Sequence, residues 1–165
     1  MPLTQILSAL VVRDLGGVMR EIEAFPDDAS VWELRPGVTN SAGTLALHLV
    51  GNLNHYIGHY LGQTGNVRDR PREFSTTGVS RAELSAMLAA TREMIATVLP
   101  RVTEEQLDLP YPEPHGGRTI PTRAFLVHVA THLAFHLGQI GYLRRIVTGQ
   151  NHSVGPLSAL VLPEA

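Results

Sequence analysis

Residues 121 to 147 read PTRAFLVHVATHLAFHLGQIGYLRRIV. Val129, Leu133 and Ile140 recur at helical spacing. Pro121 stands where a first helical turn accepts proline, Thr119 or Thr122 offers a cap, and Thr148-Gly149 supplies a stop. The stretch therefore reads as one long helix, about Pro121 to Val147. His132 and His136 lie four residues apart on it, at the edge of the apolar stripe and facing inward. Side chains at that spacing stand one above the other. Two imidazoles so placed can reach one ion at about 2.0–2.1 Å each.

The rest of the chain reads as helices too. Thr4 is a candidate cap for a first helix of about Gln5 to Phe25, ended by Pro26-Asp27-Asp28. Arg35-Pro36-Gly37 breaks the chain, and a second helix is expected from about Ser41 to Leu61, capped by Asn40 or Ser41. Residues 62–78 read as a long loop. Ser80-Arg81-Ala82-Glu83 is a capping box that opens a third helix, about Arg81 to Leu99. Thr103-Glu104-Glu105-Gln106 is a second such box, for a short helix. No convincing alternating strand is present. The expectation is an all-α protein, an up-down four-helix bundle over residues 1–149, with a tail at 150–165 that packs on it or extends from it.

Composition narrows the function. The 165 residues are 44% hydrophobic and 17% charged, as in ordinary globular domains. A net charge of -2 without a basic run argues against nucleic acid or an anionic membrane as partner. With no cysteine there can be no disulfide, zinc-thiolate or cysteine nucleophile. Residues 36–67 carry no Asp, Glu, Lys or Arg, yet His48, His55, His59 and four asparagines make them too polar to face lipid. The apolar start, Met1 to Val12, lacks a basic leader region and does not read as a signal peptide. A cytoplasmic location is expected.

The eight histidines stand out. His128 extends the series on the last helix by one turn, which leaves open which pair is used. A third ligand should come from the second helix. His48 and His55 lie about 10 Å apart along a helix axis, so they cannot share an ion. Either His48 completes the site or His55 and His59 form a separate pair, since helical period puts Asn52, His55 and His59 on the seam of His48. His115, in a Pro-rich loop, is expected to be exposed. Arg68-Asp69-Arg70 reads as a solvated salt-bridge cluster, or as a holder of an anionic substrate at the bundle mouth.

His128-Val-Ala-Thr-His132-Leu-Ala-Phe-His136-Leu-Gly-Gln139 resembles the signature near the end of the DinB-like superfamily (DinB/YfiT type). Leu45-Ala-Leu-His48-Leu-Val-Gly-Asn52 is similar to that superfamily's single histidine on helix two, and Trp32 with Arg35-Pro36-Gly37 to the stretch before it. The resemblance implies a four-helix bundle, often dimeric, with one divalent metal, commonly zinc or nickel, held by His48, His132 and His136. Imidazole ligands by themselves suit zinc, nickel, copper and iron. Asn52 and Gln139, one turn from ligands, are candidates to orient imidazoles or water, and His128 is a further supporting residue. Leu137 stands where many relatives have arginine, which is expected to alter the mouth of the site.

Three ligands leave a fourth position open, as in catalytic zinc. The resemblance implies a metal-dependent transferase that activates a low-molecular-weight thiol. Alternatives are a hydrolase using water on the metal, or a non-enzymatic metal-binding stress protein. Neither seam carries an Asp or Glu to serve as a base, which favours the thiol or leaves His128 as base.

Overall fold

The computed structural model describes residues 2–155 and 157–162. Six α-helices follow in order: α1 Leu3–Glu23, α2 Ala42–Leu53, α3 Arg70–Ser75, α4 Arg81–Val98, α5 Glu104–Asp108 and α6 Thr122–Thr148. A π-helical turn, Asn54–His59, continues α2. No strand occurs among the described residues. The long helices α1, α2, α4 and α6 form the expected four-helix bundle.

Leu7, Val11, Leu15, Val18 and Ile22 of α1 are buried at spacings of three and four, the period that lines one helix face. They meet Leu84, Leu88 and Ile95 of α4, Leu45, Leu49 and Leu53 of α2, and Val129, Leu133 and Ile140 of α6 in one core. Each such side chain contributes about 1.5–3 kcal/mol by leaving water. α1 and α2 each pack on both α4 and α6. The order around the bundle is thus α1, α4, α2, α6, and successive helices α1 and α2 sit on a diagonal. Simple neighbour-to-neighbour order was the default expectation. The long connectors at 24–41 and 99–121 carry the two diagonal crossings instead.

Both capping boxes form as read, Ser80 with Glu83 and Thr103 with Gln106. Ser41 caps α2 by accepting from the Thr44 amide. Thr4 does not cap α1: that helix starts two residues earlier behind Pro2, and Thr4 is buried in its first turn. Neither threonine caps α6. Pro121 occupies the cap position, and the Thr122 hydroxyl donates to the Leu109 carbonyl instead. Gly149 closes α6 at φ 71°, where a side chain would be strained.

The 62–78 segment is not all loop. Asp69 accepts from the Arg72 amide at 3.0 Å and opens α3, with Pro71 in its first turn. In the tail, the Val154 and His152 carbonyls accept from Arg20 and Arg144. The tail expectation also covers Pro156 and residues 163–165, which lie outside the described residues. No described helix is long and apolar enough to cross a membrane.

Candidate metal centre

His48 comes from the middle of α2, and His132 and His136 from successive turns of α6. Where the two helices pack, the Nε2 atoms of His48 and His132 stand 3.5 Å apart, and those of His132 and His136 3.0 Å apart. One ligand atom from each of the three lies within 4.8 Å of the others. Two imidazole nitrogens on one tetrahedral ion at about 2.05 Å stand roughly 3.3 Å apart, so these separations fit a shared ion. Nitrogen lone pairs converging at such distances repel unless a cation or proton sits among them.

The other ring nitrogens are held by acceptors. His48 Nδ1 donates to Glu73 Oε2 at 3.0 Å, and His136 Nδ1 to Gln139 Oε1 at 2.7 Å. A proton fixed on Nδ1 leaves Nε2 with a free lone pair, the tautomer a metal requires. Burial holds His48 below the usual histidine range although Glu73 pulls the other way. Burial, with the neighbouring His136, His48, His128 and Arg68, lowers His132 to about 4. Both rings are therefore neutral, and able to ligate, at pH 7.

Glu73 is the residue that sequence reasoning missed. It reaches the site from α3, outside the two histidine seams. Arg68 grips it with Nε on Oε1 at 2.6 Å and Nη2 on Oε2 at 2.9 Å, a two-point pairing. It fits only because residue 51 is glycine: a Cβ there would lie 2.0 Å from Glu73 Oε1. The signals were present in Asp69 before Pro71, a helix start inside the supposed loop, and in a glycine three residues after His48.

Other expectations change with the geometry. His55 does not share the seam of His48. The π turn shifts the helical phase, and His55 Nε2 pairs with Glu113 Oε2 at 2.8 Å, its ring stacked on His59 at 5.9 Å between centroids. His115 is half-buried and stacks on Phe125, ring centroids 4.4 Å apart, because a tight turn with Arg118 folds the loop inward. Arg68, Asp69 and Arg70 do not form one salt-bridge cluster. Arg68 holds Glu73, Asp69 caps α3, and Arg70 lies over the Phe74 ring at 5.2 Å. Leu137 is buried toward Gly17 of α1, so it leaves the mouth untouched.

Beside the triad opens a cavity of about 370 Å³ that reaches His48 and His132. Asn52, His128, Arg68 and Arg70 line its polar side, and Phe125 and Val129 its apolar side. Gln139 lies outside it.

Comparison with known proteins agrees with the helical fold. The crystal structure of a conserved protein from Enterococcus faecalis matches with a TM-score of 0.73 and 21% identity, over 91% of this chain and 99% of that one. At that identity the likeness concerns the fold. No curated protein matches the chain. The family model of the DinB superfamily matches residues 17–140, a span that includes all three histidines of the triad. The chain belongs to the DinB superfamily.

Proposed function

We propose that His48, His132 and His136 hold one divalent ion, zinc or nickel, and that the protein is a transferase acting with a low-molecular-weight thiol. The observation that carries this is the convergence of three imidazoles beside a cavity with no carboxylate among its lining residues. A bound ion supplies Lewis acidity, lowering the pKa of a thiol that reaches it. Glu73 and Gln139 keep two of the rings in the ligating tautomer. Arg68 holds Glu73 in place and leaves that carboxylate no freedom to act as a base toward water. The apolar wall limits access of bulk water. In the transfer, the thiol gives up its proton and its sulfur bonds to an electrophilic carbon. A leaving group departs with the electrons of the broken bond. His128, exposed on the cavity wall one turn before His132, accepts the proton.

The test is a melting experiment on metal-loaded and chelator-treated protein with mycothiol, bacillithiol and glutathione. At a hundred times its Kd, a thiol adds about 2.7 kcal/mol. For a chain of this size that raises Tm by roughly 5–10 °C. The shift is expected with metal and absent without it. Protection by none of the three thiols, together with chelator-sensitive turnover of simple esters, would replace this reading with a hydrolase.

The carboxylate behind His48 gives a second prediction. Glu73→Gln is expected to weaken zinc binding about tenfold, within the range for partners of metal-ligating histidines. Gly51→Ala should do the same from the opposite side, by pushing the carboxylate off His48. Competition with a chromophoric chelator measures both. Unchanged affinity in both variants would show that Glu73 does not support the ligand.

A further inference from the structure

His48 and His132 line the cavity, and so do two guanidinium side chains, Arg68 and Arg70. Arg68 is neutralised by Glu73, but Arg70 has no carboxylate within ion-pair distance among the described residues. Its guanidinium carbon stands 5.2 Å from the Phe74 ring centroid, a contact that leaves its hydrogen bonds free. Asn52 is buried and its side chain makes no hydrogen bond; Oδ1 is shut in without a partner. His115 Nε2 is likewise buried and unpaired, with its ring face covering Phe125. Buried polar groups are nearly always paired, and both residues line the cavity, so a rotation of either side chain would offer its orphan to a ligand there. Ile120, Ala124, Phe125 and Val129 supply the apolar part of the lining.

From this we infer that the cavity is a carboxylate subsite, taking a small organic acid with a flat or apolar body. The carboxylate sits on Arg70, a polar substituent draws Asn52 or His115 toward it, and the body lies along Ile120 and Ala124. The far end of such a molecule reaches the triad, so this deepens, and rests on, the transferase reading. The carboxylate can belong to the thiol or to its electrophilic partner.

Benzoate and its uncharged analogue benzamide are the probes, titrated by NMR into chelator-treated and zinc-loaded protein. Benzoate is expected to bind in both forms, at least tenfold more tightly than benzamide, the effect of one charge-assisted hydrogen-bonded contact. Arg70→Gln should abolish that preference and Arg70→Lys restore part of it. Arg72→Gln, on the same short helix but away from the cavity, should leave it unchanged. Equal binding of the two probes, or a preference surviving Arg70→Gln, overturns the subsite. Because chelator-treated protein is included, benzoate binding without any thiol effect would sink the transferase reading alone. Where benzoate competes with glutathione, the carboxylate is the thiol's; where both bind together, it is the electrophile's. Either result supports the subsite.

Discussion

His132→Ala is expected to remove stoichiometric metal from the protein. The central ring of the triad has its Nε2 3.5 Å from that of His48 and 3.0 Å from that of His136. Without it, the other two rings lose the shared corner of the site. Structural zinc sites bind with about 10–16 kcal/mol across four ligands, or roughly 2.5–4 kcal/mol per ligand. Loss of one ligand then weakens binding about a hundred- to a thousandfold. Metal analysis of untagged protein, never exposed to a nickel column, should find about one ion per chain in the wild type and almost none in the variant. His128→Ala is the control and should keep its ion, since His128 lies beyond the triad. Full occupancy in His132→Ala would mean that the ion, if any, is held elsewhere. An empty wild type, even after zinc or nickel is added, would reduce the seam to bundle packing.

The second large effect is on stability. Arg144 of α6 is fully buried, and its Nε donates to Glu21 Oε2 of α1 at 2.5 Å. Its Nη2 donates to the His152 carbonyl at 2.7 Å, which ties the tail to the same knot. Gly141 makes the space: a Cβ there would lie 3.1 Å from Glu21 Oε1. Glu21→Ala strands a guanidinium in the core, at a cost of about 3–5 kcal/mol. For a chain of this length that lowers Tm by about 10 °C. The double variant Glu21→Leu/Arg144→Met removes both charges and should recover most of the loss, because the penalty lies in the uncompensated charge. Thermal melts of the single and double variants measure this. A drop below about 2 °C in Glu21→Ala would show that the guanidinium is solvated or otherwise satisfied.

Much of the bundle could be read from local chemistry. The capping boxes at Ser80 and Thr103 use only residues three apart, so the sequence contains the whole interaction. The period of apolar residues in α1 and α6 needs no partner helix to be seen. The spacing of His132 and His136 likewise follows from helix geometry alone. Where two local options competed, the reading went astray. Thr4 and Thr122 have capping side chains, but proline occupies the cap position before each of them, and burial claimed both threonines. The π turn after Leu53 carries a tertiary contact that the local pattern does not contain: its first residue, Asn54, donates from Nδ2 to Thr91 Oγ1 of α4 at 2.8 Å. That turn, and not the spacing, separates His55 from His48.

By itself, then, the sequence determined the four long helices, the inward face of α6 and the pair of histidines four residues apart, because each depends on neighbours within one or two turns. It left the third partner open between His48 and the His55 and His59 pair, a choice made there only by family resemblance. The tertiary structure brought α2 and α6 together at His48, swung His55 to Glu113, and carried Glu73 from a supposed loop to the back of His48. Contacts between residues distant in the chain depend on how helices cross and on which glycines leave room. Gly51 for Glu73 and Gly141 for Glu21 are such openings, and their purpose exists only once the partner helix has arrived.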